Sequence, residues 1–251
     1  MMLHAWHLAL LLPRLWLALA VRPAEQESAA DPVNREGLEK NKDEDVEVPV
    51  LLPRSCNDEG ILQLEPNTVY RTCRPAETDC RSEDMDGGHH LAYRCTELRG
   101  APGASILLAT SIYLWEKCRV TGPLVFNLEP GTSELSKAAI IAVDLELYAD
   151  RRGPLVFRKI RSSGRAVAVF CAHDLQLLGP GKMLFEELIG TGKREPAPID
   201  AKSVNFNSTG HVTFSLCSSR LGGAVLGERV KFLNSGRYEF DNCTSSTDGG
   251  A

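Results

Sequence analysis

From residue 104 onward, apolar residues come in short runs, some alternating with polar residues and some continuous. Gly, Pro or Ser cuts each run before the i, i+3, i+4 spacing of a helix is sustained, so the pattern predicts strands joined by turns. Val143-Asp144-Leu145-Glu146-Leu147 shows the phase. Successive side chains of a strand point to opposite faces, which turns the apolar residues inward and the carboxylates outward. The runs also repeat. Gly-x-x-x-Phe occurs at Gly122/Phe126, Gly153/Phe157, Gly181/Phe185, Gly210/Phe214 and Gly236/Phe240, and successive glycines are 31, 28, 29 and 26 residues apart. An apolar-x-apolar pair precedes each glycine: Ile112/Leu114, Leu145/Leu147, Leu175/Leu177, Val204/Phe206 and Val230/Phe232. Earlier still in the units lies a small, apolar stretch, as at 104–109, 139–143, 165–169 and 222–226.

Units of this length with three short strands fit one coil of a parallel β-helix. Each coil of that fold stacks ~4.8 Å from the last, and alternate side chains fill a continuous core. Leucine-rich repeats have similar length but need an Asn or Cys after the L-x-L strand and a second regular leucine set, which these units lack. A β-sandwich gives short strands but no reason for Gly-x-x-x-Phe to recur at one-coil intervals. The expectation is an all-β chain: a parallel β-helix of about five coils, 26–31 residues each, over 104–251, behind a disulfide-rich N-terminal cap over 51–103.

At Gly222-Gly223-Ala224-Val225, Gly236, Phe240-Asp241-Asn242 and Gly249-Gly250-Ala251 the chain resembles the repeats of polymorphic outer membrane proteins, with their Gly-Gly-Ala-aliphatic and Phe/Asn signatures. The resemblance covers about the last forty residues, and reaches the earlier coils through Gly-x-x-x-Phe alone. It implies a right-handed, pectin-lyase-like β-helix serving as a passenger or adhesin. The sequence stops at Gly250-Ala251, where a new coil would start, and this reads as a fragment.

The start of the chain sets the compartment. Residues 1–20 are apolar and end in Ala18-Leu19-Ala20, the small-x-small pattern of a cleaved secretory signal. Residues 21–50 carry nine Asp/Glu against four Lys/Arg and no aromatic residue, so a disordered acidic segment is expected. This segment accounts for most of the net charge of -5; the remaining chain is nearly neutral, and no nucleic acid partner is expected. No later segment is long and apolar enough to span a membrane. All eight cysteines follow the signal, which fits disulfides in an oxidising compartment; Cys56, Cys73, Cys80, Cys95, Cys217 and Cys243 are the candidates. Cys217 and Cys243 both stand three residues after a repeat Phe, so they should be stacked, as a bond or as a buried ladder. Asn207 and Asn242 open N-glycosylation triplets.

Candidate chemistry is sparse. Cys73, Cys80, His89, His90 and Cys95 lack the tight spacing of a structural zinc site, so disulfides are favoured there and no metal is assigned. Cys171-Ala172-His173-Asp174 places a thiol near an imidazole and a carboxylate, but neighbours on a strand face opposite ways; a structural cysteine is the plainer reading. Asp144 and Glu146 share an outward face as a lone carboxylate pair, which a solvated face explains. The outstanding feature is basic: Arg151, Arg152, Arg158, Lys159, Arg161 and Arg165 place six cations and no carboxylate within fifteen residues, as a solvated turn or a polyanion site would. These readings converge on a secreted or cell-surface β-helix with a structural or adhesive role. Its expected partners are anionic polysaccharide or surface proteins, and no catalytic residue or cofactor is assigned. The alternative is a carbohydrate-active β-helix enzyme, a polysaccharide lyase or glycoside hydrolase. Such an enzyme would stack Asp, Arg, His or Lys at equivalent outward positions of successive coils, whereas these repeats keep Gly, Phe and small apolar residues.

Overall fold

A computed structural model of the chain describes residues 48–53, 55–74, 77, 90–191, 196–219 and 223–245. The signal segment, the acidic segment to residue 47, Cys80 and His89 lie outside the described residues. Every strand pairing is parallel, and among the described residues there is no helix. The chain winds through three sheets of eight, nine and four strands. One coil runs from Ile140–Tyr148 in the nine-stranded sheet to Leu155–Arg158 in the eight-stranded sheet and Arg161–Ser162 in the four-stranded sheet, then enters the next coil at Val169–Gly179. About four turns visit all three sheets, so the parallel β-helix expected from the repeats is the fold. Before Ile140 the third side is reduced to a bridge between Leu135 and Ser162.

The Phe residues of the five units form one column. Phe126, Phe157, Phe185, Phe214 and Phe240 are in register, and their rings stack at centroid separations of 4.7, 5.2, 4.6 and 5.1 Å with interplanar angles of 8° or less. Tyr70 and Ile106 continue the column into the N-terminal segment. The glycine four residues earlier marks the corner between two sheets. A Cβ on Gly181, Gly210 or Gly236 would collide with the carbonyl oxygen of Asp150, Gly181 or Ser208. Backbone bonds such as Gly181 N–H to Ala149 O at 2.9 Å and Arg237 N–H to Gly210 O at 3.0 Å tie the coils together there. Two residues after Phe157, Phe185, Phe214 and Phe240 the chain turns through positive φ, at Lys159, Glu187, Leu216 and Asn242, with φ between 49° and 53°. That turn carries the chain into the two-residue strands of the third sheet.

The apolar pairs form a second wall of the core. Leu145, Leu175, Val204 and Val230 stack in one column, and Leu147, Leu177, Phe206 and Phe232 in the next. Ile112 and Leu114, expected in these columns, instead face Ile140 and Ala142; the residues that stack on Leu145 and Leu147 are Cys118 and Val120. The reason is the length of Ser111–Thr121, which contains both alternating windows in one eleven-residue strand. A bulge at Trp115-Glu116 separates them, and a second bulge falls at Ala172-His173. Val143 lies beside these irregular positions and is half-buried, not inward as its alternation predicts.

The Cys-rich segment expected as a cap supplies strands to the same sheets: Val50–Leu51 and Val69–Arg71 to the eight-stranded one, Ile61–Gln63 and Glu97–Arg99 to the nine-stranded one. Cys56 and Cys95 are joined by a disulfide, with Cα atoms 5.8 Å apart. Cys73 is also in a disulfide. Two of the thiols that zinc would require are thus spent.

Candidate functional site

Sheet register brings together arginines that the sequence keeps far apart. On the outer face of the nine-stranded sheet, Gln63, Arg99, Thr121 and Tyr148 form one column, and Glu97, Arg119 and Glu146 the neighbouring one. The turn leaving this sheet after Tyr148 adds Asp150, Arg151 and Arg152. All of these but Glu146, which lies beside it, line an open cleft of about 680 Å³ together with the corner residues Gly100-Ala101-Pro102 and Gly122-Pro123.

The charges in and beside the cleft are partly internally balanced. Arg99 pairs with Glu97 at 2.6 Å, and the Thr121 hydroxyl donates to the same carboxylate at 2.7 Å. The hydrogen bond from Arg99 holds the Glu97 carboxyl below the usual carboxylate range against the opposing effect of burial. Glu146 is mostly buried; burial alone would push it up, but Lys117 at 2.9 Å and Arg119 at 2.6 Å outweigh this and hold it low. Arg119 also lies over the Tyr148 ring, 5.7 Å from its centroid. Arg152 contacts Asp150 at 3.3 Å, while Arg151 is exposed and makes no ion pair among the described residues. Four guanidinium groups thus face two lining carboxylates, and each retains N–H donors for an anion.

The six-cation run of the sequence does not stay together. Arg151 and Arg152 stand at the cleft, whereas Arg158 ends strand Leu155–Arg158 and Lys159 and Arg161 follow around the next corner. Arg158 donates to Asn127 at 3.0 Å. Arg165 sits at the third corner, on Asp200 at 2.8 Å and over the Phe170 ring at 4.7 Å. The run encircles one coil because it spans three turns and the two strands between them. Arg99 and Arg119, which sequence reading missed, complete the cleft; their only signal was alternation in Glu97-Leu98-Arg99 and Lys117-Cys118-Arg119, which fixes a face but not a neighbour.

Other candidates resolve into packing. Cys171 is buried, its Sγ 3.1 Å from the Val143 carbonyl and 3.3 Å from that of Asp174, and burial pushes its thiol up to about 12. That is a structural cysteine. His173 projects from the bulge 4.0 Å from Asp144, whose carboxylate accepts the Asp174 N–H at 3.1 Å. Asp144 and Glu146 therefore serve different partners and do not act as a pair. Cys217 and Cys243 occupy equivalent places in successive coils and carry free thiols. Of the alternatives left open by their spacing, the structure takes the ladder and not the bond. Asn207 is half-buried at a strand end, its Oδ1 accepting from Asn234 at 3.3 Å, and Asn242 is exposed in its turn. Among the described residues no three metal-ligating side chains cluster, and no helix is long and apolar enough to cross a membrane. Compared with family models, curated proteins and solved structures, the chain matches none.

Proposed function

We propose that this chain is an exported β-helix protein, secreted or held at a cell surface, with a structural or adhesive role in which the arginine cleft holds acidic polysaccharide. The observation that carries this reading is the convergence of Arg99, Arg119, Arg151 and Arg152, from three coils, on one open cleft. A polyanion offers sulfates or carboxylates at regular spacing, and guanidinium forks bind such groups bidentately. The adhesive part rests on the resemblance of the last coils to outer-membrane passenger repeats, and export on the N-terminal apolar segment and the disulfides.

The test is salt elution of the full chain from immobilised heparin, with a plain sulfonated resin as reference. The chain carries net charge -5, so retention on heparin but not on the resin points to a local site. Arg151→Ser/Arg152→Ser should elute at lower salt than the wild type, and Arg158→Ser/Lys159→Ser/Arg161→Ser close to it. Equal elution of all three proteins, or loss confined to the second variant, overturns the cleft as the site.

A further inference from the structure

A second concavity lies on the other half of the same sheet, before the bulges. There the outward column is apolar: Ala92, Tyr113, Ile141 and Phe170 are aligned across four strands, and only then does Asp200 follow. Tyr113, Ile141 and Phe170 pack with Ala138 and Ala166 in a hydrophobic cluster separate from the core of the coils. Trp115, carried on the bulge, closes one side with its ring edge-on to Tyr113 at 4.8 Å, and is 36% exposed. The resulting pocket holds about 300 Å³. That is the small end of the roughly 300–1,000 Å³ range of ligand sites, so it suits a single-ring ligand.

Its rim is cationic. Lys137 is exposed and makes no ion pair among the described residues. Arg165 is held by two contacts: its Nε donates to Asp200 at 2.8 Å and its guanidinium carbon lies over the Phe170 ring, 4.7 Å from the centroid, which leaves its remaining N–H groups for another acceptor. Among the described residues, Asp200 is the acidic group at this edge, and Arg165 pairs with it, so Lys137 gives the described mouth an unpaired positive charge. A neutral sugar would need several hydrogen-bonding side chains around its hydroxyls, and the walls offer mostly carbon. An apolar body with a single anionic group matches both wall and rim.

We infer that this pocket binds an arylcarboxylate-type monoanion, its ring against Tyr113, Trp115, Ile141 and Phe170 and its carboxylate at Lys137 and Arg165. The site is independent of the arginine cleft and requires no polysaccharide binding. The full chain has three tryptophans; with Trp6→Phe and Trp16→Phe, Trp115 becomes the sole reporter. Its fluorescence, excited at the red edge where benzoates are transparent, is followed against 4-tert-butylbenzoate, 4-tert-butylbenzyl alcohol and 4-tert-butylbenzylamine. Saturable change with the carboxylate, about tenfold tighter than with the alcohol and tighter still than with the ammonium, is expected for a charge-assisted contact. Lys137→Met, which leaves the Arg165–Asp200 pair intact, should bring the carboxylate close to the alcohol and leave the alcohol unchanged. Equal affinity for all three probes, no saturable response, or indifference of carboxylate binding to Lys137→Met overturns the proposal.

Discussion

Phe185 lies between the rings of Phe157 and Phe214, fully buried, whereas Phe240, which among the described residues stacks on Phe214 alone, is 50% exposed. Removing a buried phenyl group loses its transfer free energy and leaves a cavity that neighbouring coils, pinned by their own hydrogen bonds, cannot fill. Phe185→Ala should therefore cost about 3–5 kcal/mol, and Phe240→Ala less than about half of that. Urea unfolding of both variants checks the order, and equal losses would contradict the ladder. This column was legible in the sequence, because Gly-x-x-x-Phe repeats a local constraint: the glycine permits close approach at a corner, and the Phe fills the core four residues later. The positive-φ position two residues after Phe157, Phe185 and Phe214 was not legible, because Lys159, Glu187 and Leu216 are residue types that do not mark such a turn.

At the scale of strands, outward side chains form ladders of their own. Glu97, Arg119 and Glu146 alternate in sign across three strands, and Lys117 adds a second cation to Glu146. Both carboxyls are held below their ordinary values, Glu97 chiefly by the Arg99 hydrogen bond and Glu146 by Lys117 and Arg119 overcoming burial. A depressed folded-state value means that the contribution to stability is present above the unfolded value near 4.5 and lost as pH falls through the folded one. Stability should thus drop on acidification below that range. Glu146→Gln should flatten this dependence by about 1 kcal/mol or less, since its cationic partners are largely solvated. Denaturant midpoints of wild type and variant between neutral and strongly acid pH test it; parallel curves would show that the ladder is energetically silent. The bulges at Trp115-Glu116 and Ala172-His173 belong to this scale too, and they explain why Ile112 and Leu114 were placed in the wrong columns.

For the whole molecule, the strands of each coil pack on those of its neighbours, so protection rises from the ends toward the middle. Four free thiols report on this: Cys118, Cys171 and Cys217 are buried and Cys243 is partly exposed in the last described coil. Burial pushes Cys118 and Cys171 up to about 12, leaving almost no reactive thiolate at about pH 8. Iodoacetamide should modify Cys243 first and leave Cys118 and Cys171 intact until the coils unfold, as read by mass spectrometry. Native alkylation of Cys118 at the rate of Cys243 would mean that the middle coils open locally. At this scale the sequence by itself determined that the chain is all-β, that it coils and, away from the bulges, which residues face the core, because in/out alternation and a corner glycine are local properties repeated once per coil. Only the tertiary structure decided which outward residues become neighbours. Register depends on the summed lengths of every turn and bulge between two strands, and the two-residue strands of the third side are too short to carry any periodicity. That is why the arginine run was visible as a run, while the cleft that joins Arg151 and Arg152 to Arg99 and Arg119, and the pocket between Trp115 and Phe170, exist only where separate coils are stacked.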